Sequence, residues 1–118
     1  LRPDAGRYEC GTLNTIGCYG LRAAIVFLLD VGIDKITPIV LGLARQIVEG
    51  VRPRGYEVLG DPNAGIVSFR KPGIDSAAIC AGLREHSIIT APRAGWVRAS
   101  PHFYIQAEDI DKMLNLLP

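Results

Sequence analysis

Apolar positions along the chain follow two different spacings. In residues 16–31, Tyr19, Ala23, Val26 and Phe27 keep the three- and four-residue interval of one helical face, and Gly32 stands where a helix would stop. A second helical pattern follows at once. Ile36, Ile39, Val40, Leu43, Ala44, Ile47, Val48 and Val51 form a stripe covering about a third of the helix circumference. Pro38 is expected in its first turn, where a missing N–H costs little, and Pro53 with Gly55 ends it. Beyond Gly55 the period shortens. Residues 56–59 and 65–70 predict two strands joined by Gly-Asp-Pro-Asn-Ala, and in the second Ile66, Val67 and Phe69 are apolar while Ser68 and Arg70 alternate, as for a sheet with one covered face. Asp75 is a good N-cap for a third helix, with Ile74 and Ile79 at the spacing of a hydrophobic staple and Leu83 continuing the face towards His86. Residues 88–90 and 95–99 predict two more strands, separated by Ala-Pro-Arg-Ala. A last helix over 107–117 buries Ile110, Met113, Leu114 and Leu117 and sets Glu108, Asp109 and Asp111 near its positive end.

Two helices, two strands, a helix, two strands and a helix predict an α+β domain: a small, mostly antiparallel sheet of about four strands with helices on one face. At 118 residues the chain is expected to be one domain, 1–118, that buries roughly two-thirds of its unfolded surface. It opens Leu-Arg-Pro-Asp, without methionine, and is expected to be a piece of a longer protein.

Composition narrows the chemistry. With 48% hydrophobic and 21% charged residues the chain is of ordinary globular type. A net charge of +1, with neither sign clustered, gives no electrostatic case for nucleic acid or an anionic membrane. No apolar run is long enough to cross a bilayer. Cys10, Cys18 and Cys80 are odd in number and have no Cys-x-x-Cys pairing, and His86 and His102 sit far from the first two, so neither a disulfide framework nor a metal site is expected. Free thiols suit a reducing compartment, and the expected location is cytoplasmic.

Two polar stretches stand out from the apolar pattern. Residues 93–104 carry Arg93 and Arg98 across a glycine, followed by Ser100, His102 and Tyr104. Either these arginines face water, as charged residues mostly do, or the planar fork of one pairs with a carboxylate through two parallel hydrogen bonds. His102 is expected to be structural. Residues 7–15, Arg-Tyr-Glu-Cys-Gly-Thr-Leu-Asn-Thr, feed a helix N-terminus, where Gly11 and Thr12 allow an anion near free backbone N–H groups and where Asn14 or Thr15 equally serves as a simple cap.

Together these stretches resemble class V aminotransferases, the fold-type I group that includes cysteine desulfurases, selenocysteine lyases and isopenicillin-epimerase-like proteins. The loop at 7–15, followed by Gly17 and Gly20-Leu21, is similar to the Arg-Phe-Glu-x-Gly-Thr-Pro-Asn loop of that family. Arg93-x-Gly-x-x-Arg98-x-Ser100-Pro-His-Phe-Tyr104 looks like its closing motif, and Gly32-Ile33-Asp34-Lys35-Ile36 also fits, so the resemblance covers essentially the whole chain. It implies pyridoxal 5′-phosphate chemistry on an amino-acid substrate in a homodimer, the cofactor acting as electron sink. By the same resemblance, residues 1–20 are an inter-domain loop and helix start, and 21–118 the C-terminal small domain below an upstream large domain. Arg98 matches the arginine that binds the substrate carboxylate and Arg93 a second arginine at the mouth of the site. Gly11 and Thr12 match the pair that reaches the cofactor phosphate of the other subunit.

Departures from the family pattern shape the expectation. The Schiff-base lysine of these enzymes lies upstream of the Gly-Thr loop, whereas Lys35, Lys71 and Lys112 match no such position, so this chain alone has no catalytic residue and is expected to be inactive. Cysteine desulfurases carry a nucleophilic cysteine between their last two strands, and 91–97 contains none, which favours a transaminase, lyase or epimerase. Leu13 replaces the usual proline and loosens the loop, and Ile105-Gln106 replaces an Asn-Thr pair, which is expected to weaken the last helix cap. A chain detached from its large domain is also expected to self-associate through the helix at 16–31 or the Arg98 face. The alternative from a different class is a non-catalytic α+β module that binds a ligand or a partner.

Overall fold

A computed structural model of the chain describes residues 2–8 and 11–118. Glu9 and Cys10 of the first motif lie outside the described residues. Two compact units emerge, Leu1–Ile33 and Asp34–Pro118.

In the first unit a short 3-10 turn, Ala5–Tyr8, precedes α1, Thr15–Val31. Asn14 caps α1, its Oδ1 accepting the Gly17 N–H at 2.9 Å, which is the simple capping expected there. At the other end Gly32 donates its N–H to the Leu28 carbonyl with a φ of 97° that favours glycine.

The second unit is built on α2, Ile33–Val51, which begins earlier than its apolar stripe. Pro38 therefore lies inside the helix rather than in the first turn, because Gly32 alone separates the two helices and polar Asp34 and Lys35 hide the start. Ile36, Leu43, Ala44, Ile47, Val48 and Val51 are buried, whereas Ile39 is exposed at the edge of the stripe. Strand β1 is Glu57–Val58, β2 is Val67–Arg70, β3 is Ala91–Arg93 and β4 is Trp96–Ala99, in the sheet order β1-β2-β4-β3, antiparallel throughout. Helix α3, Ser76–Glu85, is capped by Asp75, and α4 is Ala107–Leu116.

Alternation along β2 and β4 decides which side the helices cover. Val67, Phe69, Val97 and Ala99 point into a core with Leu43, Ile47 and Val51 of α2, Ile79, Cys80 and Leu83 of α3, and Ile110, Met113 and Leu114 of α4. Gly50 permits the close approach of α4, since a Cβ there would fall on the Leu114 side chain. Gln46 adds a polar tie, donating to the Ala107 carbonyl and the Asp111 carboxylate at 3.1 and 2.8 Å.

Two local expectations are corrected. The third strand is not 88–90 but Ala91–Arg93. After α3 the chain turns back through Ser87, at a φ of 65°, and Ile88 donates its N–H to the Leu83 carbonyl, so these residues close the helix instead of joining a ladder. Pro92 is tolerated in β3 because that strand is the sheet edge. The last helix is not poorly capped: Asp109 Oδ2 accepts the Gln106 N–H at 3.1 Å, so the cap comes from within the first turn.

Candidate functional site

The face of the sheet turned away from α2, α3 and α4 carries two cross-strand rows. One runs Glu57, Arg70, Trp96, Arg93 across β1, β2, β4 and β3, because Glu57 pairs with Arg70 and Trp96 with Arg93, and the β2–β4 register carries Arg70 opposite Trp96. The neighbouring row places Ser68, Arg98 and Ala91 side by side. Sequence reasoning singled out Arg93 and Arg98, and the fold brings both to this open face. It missed Glu57, Arg70 and Trp96. The alternation of Ser68 with Arg70 and of Trp96 with Arg98 was visible, but the strand order that sets these rows beside each other was not.

The two rows are electrostatically unlike. Arg70 Nε donates to Glu57 Oε2 at 2.7 Å, and its guanidinium lies 4.5 Å from the centre of the Trp96 ring. Arg70 is thus satisfied twice within the chain. Arg98, half-buried, has no hydrogen bond or ion pair to its guanidinium among the described residues, and neither has exposed Arg93. Ser68 and Ala91, the cross-strand neighbours of Arg98, are small, so the guanidinium is flanked by space rather than by bulk. An arginine held on a strand without a partner presents a rigid donor fork to an incoming planar anion.

Gly11 and Thr12 belong to the first unit. Both are exposed; a Cβ at Gly11 would meet no atom within 4 Å, and the Thr12 hydroxyl makes no hydrogen bond among the described residues. An open glycine and a free hydroxyl ahead of a helix N-terminus fit one part of a phosphate-binding set. The lysines are placed elsewhere: Lys71 Nζ donates to the Pro118 carbonyl at 2.7 Å, Lys112 Nζ to the His86 carbonyl at 3.3 Å, and Lys35 is exposed on α2. His102 stacks on Tyr104 at 4.9 Å with its Nδ1 buried and unpartnered. Cys18 is exposed on α1 and Cys80 buried on α3, both as free thiols. Residues 91–97 form a hairpin closed by the two-residue turn Ala94-Gly95, with no cysteine on it.

The sequence profile of the family described as Aminotransferase class-V matches residues 1–113. The chain belongs to this family. A protein of Pyrococcus abyssi named "Probable cysteine desulfurase" is 31% identical over 128 aligned positions, covering 94% of this chain and 32% of its own length. A Bacillus subtilis protein named as an uncharacterized aminotransferase is 29% identical, over 90% of this chain and 29% of its own. Among solved structures, the apo cysteine desulfurase of Thermococcus onnurineus NA1 superposes with a TM-score of 0.82 at 29% identity, covering 98% of this chain and 33% of that one. Escherichia coli cysteine desulfurase, at 22% identity and a TM-score of 0.80, shares the fold. The chain thus spans about a third of the length of the relatives it matches. Its α+β sheet with helices on one face matches the corresponding third of the Thermococcus onnurineus structure. Among the described residues no helix is long and apolar enough to cross a membrane.

Proposed function

We propose that this chain acts as the C-terminal small domain, residues 21–118 with 1–20 as linker and helix start, of a dimeric pyridoxal-phosphate enzyme that works on an amino acid. Arg98 holds the substrate carboxylate. The observation that carries this reading is half-buried Arg98, its guanidinium unpaired among the described residues and the residue flanked by Ser68 and Ala91 on the open face. Arg98 contributes position: a bidentate pair fixes the carboxylate, and through it the orientation of Cα. Bound pyridoxal phosphate supplies the electron sink for charge developing at that carbon. Gly11 and Thr12 offer an open backbone and a free hydroxyl to the phosphate of the partner subunit's cofactor, and the lysine that anchors the cofactor belongs to the large domain.

Among the branches of the family, transamination, elimination or epimerisation is favoured over desulfuration. The Pyrococcus abyssi relative is named as a cysteine desulfurase, but a two-residue turn between β3 and β4 leaves no extended loop to carry a nucleophilic sulfur, and Cys80 is buried in the core. Free thiols at Cys18 and Cys80 support a reducing, cytoplasmic setting.

Arg98→Ala in the full-length enzyme tests the clamp. Removing one partner of a desolvated charge pair is expected to weaken substrate capture by about 2–5 kcal/mol. Steady-state kinetics on amino-acid substrates would measure it, and unchanged kcat/KM would overturn the assignment.

A further inference from the structure

The open face carries more positive charge than one carboxylate can neutralise. Of its three arginines, Arg70 is cancelled by Glu57 at 2.7 Å and pressed on Trp96, while Arg93 and Arg98 are unpaired among the described residues. Trp96 separates the satisfied arginine from Arg93, which lies directly across from it on the edge strand. Arg93 and Arg98 are diagonal cross-strand neighbours, since Ala91, two residues before Arg93, is the partner of Arg98. Diagonal positions lie about 7–8 Å apart, a span that long side chains bridge. Arg98 is half-buried and Arg93 exposed, so solvent softens the repulsion between the two like charges, but a ligand with a single carboxylate neutralises only one of them.

We propose that the substrate is an amino acid with an acidic side chain, Arg98 taking its α-carboxylate and Arg93 its second carboxylate. This rests on the carboxylate-clamp reading of Arg98 and adds the substrate class. Ser68 and Ala91 leave room beside Arg98, and Trp96 walls the site on the Arg70 side, so the ligand extends along the β3–β4 hairpin towards Arg93.

Calorimetric binding to the full-length enzyme, with non-reactive diacids (succinate, glutarate) set against monoacids (propionate, butyrate), tests it. The diacids are expected to bind roughly tenfold more tightly, the worth of one further hydrogen-bonded charge contact. Arg93→Gln is expected to erase that advantage and leave the monoacids unchanged. Arg93→Lys, which keeps the charge and loses the fork, is expected to retain part of it. Absence of a diacid preference, or one that survives Arg93→Gln, overturns the proposal while leaving Arg98 as the clamp. Arg98→Gln is expected to weaken both ligand classes; if it leaves the monoacids untouched, the clamp reading falls and this proposal with it.

Discussion

On the helix side of the sheet Val67, Phe69 and Val97 are fully buried, whereas one residue away along the same strands Ser68, Trp96 and Arg98 are only half-covered and Arg70 stands exposed, as does Arg93 on the neighbouring edge strand. Both faces are made by the same backbone ladder. The covered face is complete, each apolar side chain meeting others from α2, α3 and α4. The open face is not, because two of its guanidinium groups have no partner among the described residues. Alternating residues therefore carry different loads, and substitutions one position apart should separate stability from ligand capture.

The largest expected effect is on the covered face. Phe69 is among the largest fully buried side chains and meets Tyr56 edge-on at 5.6 Å. Phe69→Ala is expected to cost about 3–5 kcal/mol, the sum of lost transfer energy and an unfilled cavity. Urea denaturation followed by circular dichroism would measure it. The counterpart on the other face, Arg98→Ala, is expected to leave the unfolding midpoint nearly unchanged, within about 0.5 kcal/mol, because its guanidinium holds no partner to lose. A large loss of stability in that variant would mean the two faces are not independent.

How much of this was legible in the sequence follows from what each element depends on. α2 and α4 are locally determined, and their apolar spacing placed them to within a few residues. β3 was placed three residues early because Ile88 and Ile89 read as strand formers, yet backbone hydrogen bonding to Leu83 and the reversed φ of Ser87 commit the preceding stretch to closing α3. That outcome is set by the end of α3, not by the propensity of two isoleucines. Arg93 and Arg98 were legible through their motif. The Glu57, Arg70 and Trp96 row was not, since it joins residues from three strands whose order is a tertiary fact.

A smaller effect concerns Tyr56, an ionisable side chain of the covered face. The Tyr56 hydroxyl donates to the Pro118 carbonyl at 3.0 Å, and burial pushes its pKa above the ordinary 10.0 while nearby Arg54 pulls it partly back. Because the folded value is raised, its contribution is present in full below the unfolded pKa and is lost as pH rises through the folded one. Tyr56→Phe keeps the ring against Phe69 and is expected to cost about 1 kcal/mol at neutral pH. It should also flatten the alkaline limb of the stability profile above a pH of about 10. A limb identical to that of the parent would show that Tyr56 ionisation is not what weakens the fold there.

The smallest effect bears on the turn that joins β3 to β4. Ala94 and Gly95 close the β3–β4 hairpin with φ values of 48° and 82°, the geometry of a type I′ turn, in which Asn-Gly is strongly preferred. A non-glycine residue held left-handed costs about 1–2 kcal/mol, and asparagine recovers part of this through local hydrogen bonding. Ala94→Asn is therefore expected to stabilise the chain by about 0.5–1 kcal/mol, read as a shift of the denaturation midpoint. It should not touch carboxylate binding by the full-length enzyme, because the pairing of Arg93 with Trp96 and of Ala91 with Arg98 is unaltered by a turn of the same type. If binding fell as stability rose, the strained alanine would be holding the arginines in a geometry that the relaxed turn does not reproduce, and the open face would depend on its turn as well as on its ladder.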